Sequence, residues 1–267
     1  MENLQILRVK CPSSLRRRTL VVFDFDGLLV NSYAVIRDAM ARFGLDVGAE
    51  ERFRNRRKFL KYLGGGKELV PNLVKFALPR KRQLRAALTE EYLNSARVYP
   101  EFVSLLNAVI DEPSIQCGIL SRNFAVAPGP TIRQVLRYSG VEEEGLDFVI
   151  PIPVGARKTE VLAGMRASQA VPAVLAADEI CDYRAGIAAG YRCLMATYGF
   201  DARHRLLGEG ALPPDCLYDT PVAVAQAVAG LLKLHVAPLA HIIAEPGVEL
   251  PSWEPFPLGA VGQPATA

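Results

Sequence analysis

Two aspartates stand two residues apart in the segment Val-Val-Phe-Asp24-Phe-Asp26-Gly27, directly after an apolar run. Along an extended chain that spacing can put both carboxylates on one side. Gly27 would let the backbone turn away without a side chain crowding them. Such a pair can divide a reaction, one carboxylate attacking as a nucleophile and the other moving a proton. Acidic residues at a strand end also make turns, so the pair alone does not decide. Three further segments close apolar runs in the same manner. Gly118-Ile-Leu-Ser121-Arg122-Asn123 offers a hydroxyl, backbone amides and a carboxamide suited to phosphate oxygens. Standing alone, Ser121 would read as the cap of the next segment. Arg157-Lys158-Thr-Glu-Val-Leu opens a helix after a strand, where Lys158 could neutralise a phosphoryl group or simply be solvated. Asp178-Glu-Ile-Cys-Asp182 could join Asp24 in holding a hard cation through oxygen. Alternatively, Asp182 merely caps a helix starting near Tyr183.

Taken together, Asp24, Asp26, Asp178 and Asp182 in one pocket would repel one another strongly, so the set calls for a cation. Mg²⁺ would offset that repulsion and polarise a phosphoryl group. One carboxylate would then attack phosphorus and form an aspartyl-phosphate, and the other would protonate the leaving oxygen and activate water. That is a phosphomonoester hydrolase built without histidine. The chain holds only His204, His235 and His241, which argues against a histidine-built metal site.

Positioning these residues requires strands that end on a common edge. Near-continuous apolar runs at Leu20 to Phe25, Ile115 to Leu120, Phe148 to Pro153, Ala173 to Ala177 and Arg192 to Ala196 read as strands covered on both faces. Helical stretches lie between most of them, at Glu101 to Ile110, Thr131 to Tyr138 and Tyr183 to Ala189. The alternation predicts an α/β fold with a doubly wound parallel sheet, which binds ligands just after its strands. Residues 33–99 break the alternation. Their apolar residues recur at helical spacing, as in Val35, Ala39, Met40 and Phe43; Phe59, Leu60, Tyr62 and Leu63; and Leu84, Leu88, Tyr92 and Ala96. The expected organisation is a core of residues 1–32 and 100–235, closed by a helix at Pro221 to Leu234, with an all-helical cap at 33–99. Residues 236–267 hold six prolines and neither Lys nor Arg, which marks a tail without regular structure. No internal repeat is evident.

Composition sets outer limits. With 267 residues, 50% hydrophobic and 22% charged, the chain can bury a sizeable core and is not disordered as a whole. A net charge of +3 is too small to argue for nucleic acid, yet residues 51–85 hold twelve Lys or Arg against Glu51 and Glu68. That stretch is either a solvated helix face or a positive lid that attracts an anionic substrate. It lacks the aromatic interleaving of a base-stacking surface. Gly64-Gly65-Gly66-Lys67 lies within it but fails the P-loop pattern, since Lys61 occupies the leading glycine position and Glu68 follows the lysine. Five dispersed cysteines without a CxxC pair read mostly as buried thiols in a reducing compartment. No signal or membrane-spanning stretch is apparent, so a cytoplasmic protein is expected.

The ordered segments DFDGLLVNS (24–32), LSRN (120–123), RKTEVL (157–162) and ADEICD (177–182) resemble the haloacid dehalogenase (HAD) superfamily, in particular its phosphoglycolate phosphatase-like branch. Also similar are Tyr99-Pro100, the run Arg184 to Gly190, and Thr197-Tyr-Gly199-Phe, so the resemblance spans about Leu20 to Leu232. It implies a Rossmann-like core with a helical cap inserted after the first motif. It further implies Asp24 as nucleophile, Asp26 as general acid/base, and Ser121 and Lys158 as holders of the phosphoryl group. Mg²⁺ would be bound by Asp24, the backbone carbonyl of Asp26 and Asp178, with Asp182 in support. Arg122, Asn123, Gly65, Gly66 and Lys67 would contact substrate. Three positions depart from the family pattern: Thr159 replaces the proline usual after the lysine, Ala177 a glycine, and Asn31 an aspartate. Family members that cleave carbon–halogen bonds lack the second aspartate, so Asp26 points to phosphoryl transfer. Lys58, Lys61 and Lys67 leave phosphonate cleavage through a cap Schiff base open. The expected partner is a small anionic phosphate ester, with no membrane and with nucleic acid disfavoured. A β-phosphoglucomutase-like mutase, a non-catalytic phosphate-binding protein and a polynucleotide phosphatase remain alternatives. The sequence leaves the metabolite and the choice between monomer and homodimer open.

Overall fold

The computed structural model describes residues 19–51, 53, 81–153, 156–167, 172–234 and 236. Its centre is a six-stranded sheet: β1 (Thr19–Phe23), β2 (Ile115–Ser121), β3 (Phe148–Pro151), β4 (Ala173–Ala177), β5 (Arg192–Ala196) and β6 (Leu217–Tyr218). The strands run parallel in the order β3-β2-β1-β4-β5-β6. β1 is therefore central, and the order reverses direction beside it, where a doubly wound sheet opens a crevice at its carboxyl edge. The sequence-predicted strands all appear. β6 was not predicted, because a two-residue strand is too short to carry a pattern.

The predicted burial on both faces follows from alternation. Val21, Phe23, Ile119, Val174, Ala176 and Leu194 enter one hydrophobic cluster; Leu20, Val22, Leu120, Leu175 and Met195 enter the other. The first cluster is covered by α3 (Pro100–Ile110), α4 (Pro128–Tyr138) and α8 (Pro221–Leu232). The second lies under α5 (Lys158–Ala167), α6 (Ile180–Ala188) and α7 (Arg203–Gly208). Helix starts are set by local chemistry. α3 and α8 place Pro100 and Pro221 in the first turn, where a missing N–H costs nothing. Thr220 caps α8 by accepting from the Ala223 N–H at 3.1 Å. α4 begins three residues earlier than predicted, with Pro128 in its first turn, and α6 begins at Ile180 rather than near Tyr183.

Two helices of residues 33–99 are described, α1 (Ser32–Ala41) and α2 (Lys81–Ser95). They contact each other, and their buried Val35, Ile36, Met40, Leu84 and Leu88 belong to the same cluster as Val21 and Phe23. Each such side chain contributes about 1.5–3 kcal/mol by leaving water, which favours holding these two helices against the core. The chain leaves the core and returns beside itself. Val30 and Val98 form an antiparallel bridge, and the Tyr99 N–H donates to the Leu29 carbonyl at 2.9 Å. The predicted helix near Phe59 to Leu63, the Gly64–Lys67 loop, Lys58, Lys61, Cys11, His235, His241 and the 237–267 tail lie outside the described residues. Of the described cysteines, Cys117 and Cys193 are buried, Cys216 is partly buried, and Cys181 is exposed, fewer buried than the mostly buried set expected. Among the described residues, no helix is long and apolar enough to cross a membrane.

Candidate active site

The four sequence segments meet at the carboxyl edge of the sheet, because parallel strands deliver the residue after each of them to the same side. Asp24 follows β1, Ser121 ends β2, Lys158 opens α5, and Asp178 follows β4. All four are buried, as are Asp26, Asn123 and Asp182. Gly27 adopts φ +79, and a Cβ there would collide with the Asp178 carboxylate. Gly199 abuts the same group from the β5 side, so two glycines together leave room for the Asp178 carboxylate.

Lys158 is the electrostatic hub. Its Nζ donates to Asp24 Oδ2 and to Asp182 Oδ2, both at 2.6 Å. Burial opposes its charge, but Asp182 and Asp24 more than offset this and raise the ammonium's pKa. The lysine is 6% exposed, which removes the solvated first-turn reading. The neighbouring Arg157 side chain is 80% exposed, so Lys158 is the cation that turns inward. Asp182 lies in the first turn of α6 and does not cap it. The Ile180 N–H of that turn instead donates to Asp201 Oδ2 at 2.8 Å. Nor does Ser121 act as a cap, since the next helix begins at Pro128.

Asp24 Oδ1 accepts from the Phe25 N–H at 2.7 Å. Burial pushes the Asp24 carboxyl up to about 7 against the pull of Lys158, with Asp182 adding to the rise. Asp178 Oδ2 accepts from the Phe200 N–H at 2.5 Å, whereas its Oδ1 is buried with no hydrogen-bond partner. Burial, reinforced by Glu179 and Asp24, raises this carboxyl well above its ordinary range. Carboxylate oxygens of Asp24, Asp178 and Asp182 all lie within 4.8 Å of one another. Lys158 pairs with two of these three buried carboxylates, Asp24 and Asp182, and one oxygen of the third is orphaned. A hard divalent cation fits that donor set, since it would supply both the missing charge and the missing partner.

Asp26 has a different environment. Its Oδ1 accepts from Ser32 Oγ at 2.7 Å, Tyr92 Oη at 2.5 Å and Asn123 Nδ2 at 3.3 Å. Its Oδ2 accepts from Asn123 Nδ2 at 3.0 Å and Ser121 Oγ at 3.4 Å. Burial pushes the Asp26 carboxyl up to about 6, with Tyr92 and Ser32 pulling it down. Burial and the Asp26 charge raise the Tyr92 phenol, which therefore keeps its proton and remains a donor. The site thus holds one carboxylate paired with a buried ammonium and a second surrounded by neutral donors.

Sequence reasoning missed Tyr92, Ser32 and Asp201. In the sequence Tyr92 is one apolar position of a helix stripe, and no motif signal marks its hydroxyl as a site group. Arg122, expected at the substrate, turns to the backbone, its Nη2 donating to the Ala156 carbonyl at 3.1 Å just before Lys158. Asn31, in place of the usual aspartate, caps α1 by accepting from the Ala34 N–H at 3.2 Å. His204 is exposed on α7.

No protein-family model matches the chain, and no curated protein matches it. Solved structures do. A haloacid dehalogenase-like hydrolase from Streptococcus pneumoniae superposes with a TM-score of 0.56 at 17% identity, over 80% of this chain and 99% of its own. A HAD family hydrolase from Deinococcus radiodurans, with bound phosphate and sodium, gives 0.56 at 19% identity, over 83% and 100%. A predicted phosphoglycolate phosphatase from Haemophilus somnus gives 0.55 at 17% identity, over 79% and 98%. The chain therefore has the fold of the haloacid dehalogenase-like hydrolases.

Proposed function

We propose that the protein is a Mg²⁺-dependent phosphatase that hydrolyses a small phosphorylated metabolite through an aspartyl-phosphate on Asp24. The observation that carries this reading is the contrast between two neighbouring carboxylates. Asp24 is paired with Lys158 and lies within reach of the Asp178 and Asp182 carboxylates, whereas Asp26 accepts from hydroxyl and amide donors. A carboxylate oxygen of Asp24 attacks phosphorus in line as the bond to the leaving oxygen breaks. Asp26 gives its proton to that oxygen, so the alcohol departs neutral. Asp26 then takes a proton from water, whose oxygen attacks phosphorus and breaks the bond to Asp24, leaving inorganic phosphate. Ser121 Oγ and Lys158 Nζ hold the phosphoryl oxygens, and Asn123 keeps Asp26 in place. Asp24, Asp178 and the Asp26 backbone carbonyl would hold Mg²⁺, with Asp182 in support. When bound, the cation supplies charge neutralisation and polarises the phosphoryl group. The basic stretch at 51–85 favours an anionic metabolite, with Gly65, Gly66 and Lys67 as substrate contacts.

A panel of phosphate esters assayed with Mg²⁺ or with EDTA tests this. Phosphate release should require the metal and fall at least about 10⁴-fold in Asp24→Asn, as expected when a nucleophile is removed. Activity persisting in Asp24→Asn would sink the assignment. Phosphoryl exchange between two positions of a sugar, without net phosphate release, would identify a mutase instead.

A further inference from the structure

Helix α2 presents Arg85, Thr89 and Tyr92, spaced four and three residues apart and so on one helical face. All three touch the catalytic edge. Arg85 Nη2 donates to the Ala125 carbonyl at 2.8 Å, and its Nε donates to the Phe124 carbonyl at 3.2 Å. Thr89 Oγ1 accepts from the Val126 N–H at 2.8 Å. Tyr92 Oη donates to Asp26 Oδ1. The loop held by Arg85 and Thr89 begins at Asn123, whose Oδ1 accepts from the Ala125 N–H at 2.9 Å and whose Nδ2 donates to Asp26. Two of the four donors to Asp26 therefore run to α2, Tyr92 directly and Asn123 through this loop.

We infer that Tyr92 is a positioning residue for proton transfer by Asp26, and that the Arg85–Thr89–Tyr92 face of α2 latches the inserted segment onto the catalytic edge. This rests on the phosphatase reading above. A carboxyl oxygen has two lone pairs. Those of Asp26 Oδ1 are taken by the close donors Ser32 and Tyr92. Oδ2 has only the longer contacts from Asn123 and Ser121, so the transferable proton resides on Oδ2. When the Oδ2–H bond breaks and the leaving oxygen takes the proton, the charge left on the carboxylate is stabilised at Oδ1 by the Tyr92 and Ser32 hydroxyls. Tyr92 touches no reacting atom and acts only through Asp26.

Phenyl phosphate and p-nitrophenyl phosphate test this, because they are close in shape but differ in how much the leaving oxygen needs a proton. Tyr92→Phe removes the hydroxyl and keeps the ring, which packs 6.2 Å from Phe25 between centroids. Its kcat should fall about tenfold on phenyl phosphate and no more than about twofold on p-nitrophenyl phosphate, with KM unchanged. Asp26→Asn, run in parallel, should show the same bias more strongly. Equal losses on the two esters would overturn the inference in favour of a purely structural tyrosine, and so would no loss on either. If Asp26→Asn itself shows no bias, the assignment of the general acid falls, and Tyr92 with it. A wild type that releases phosphate from neither ester would overturn the phosphatase reading and the inference together.

Discussion

Asp24 and Asp26 are separated by one residue yet belong to different parts of the molecule. The Asp24 half is assembled by the core alone, with Lys158 at the start of α5 and Asp178 and Asp182 around the β4–α6 turn. It is charge-dense, with three buried carboxylates close together and Lys158 bridging two of them. The Asp26 half contains no second formal charge among its donors, and two of its four donors, Ser32 and Tyr92, come from α1 and α2. Identical side chains thus acquire separate chemistry from what packs over them. The core supplies electrostatics, and helices α1 and α2 supply two of the hydrogen bonds that hold Asp26.

The harshest way to break this contrast is Lys158→Met, which leaves Asp24 and Asp182 buried without their ammonium. Removing one partner of a buried charge cluster costs about 3–5 kcal/mol. Activity should also fall about 10³-fold through loss of phosphoryl stabilisation. Urea melts with and without Mg²⁺ would show the stability loss shrinking in the metal. A variant no less stable than Tyr92→Phe would mean that the two halves are not electrostatically distinct.

Gly27→Ala strikes the joint between them. The residue would have to adopt φ +79 with its Cβ against Asp178, a strain of about 1–3 kcal/mol. Activity should suffer together with stability, because the displaced group is the candidate cation ligand. Full activity with a lowered melting temperature would separate Gly27 from the site.

The mildest effect is a pH gradient in chelated protein. Folding raises the Asp26 carboxyl from 3.8 to about 6 and that of Asp24 to about 7. A carboxyl raised on folding binds its proton more tightly in the native state, so stability rises as pH falls through the folded value. Without divalent cation, the melting temperature should therefore climb between about pH 7 and pH 5, and Asp26→Asn should flatten the lower part of the rise. A melting temperature that falls steadily over this range would show that the two carboxyls are not raised.

The core half was readable from the sequence, and the other half was not, for one physical reason. Apolar runs such as 20–25 and 173–177 must be strands covered on both faces, and parallel strands bring their ends to one edge. Asp24, Ser121, Lys158 and Asp178 follow from that rule without any knowledge of side-chain contacts. Tyr92 lies 66 residues from Asp26 and has the spacing of a packing residue. Whether its hydroxyl meets lipophilic neighbours or a carboxylate depends on how the inserted segment docks. Asp201 is similar, an acid in a loop whose role at the start of α6 appears only when β5 is laid beside β4.

By itself the sequence determined the doubly wound core and the chemical types gathered at its edge, because periodicity and strand order are consequences of burial. Tertiary structure alone decided that Lys158 bridges Asp24 and Asp182, that Arg122 turns to the Ala156 carbonyl, and that α2 supplies the donor to Asp26. Those are relations between side chains on separate elements. No local pattern encodes them; packing sets them when the elements meet.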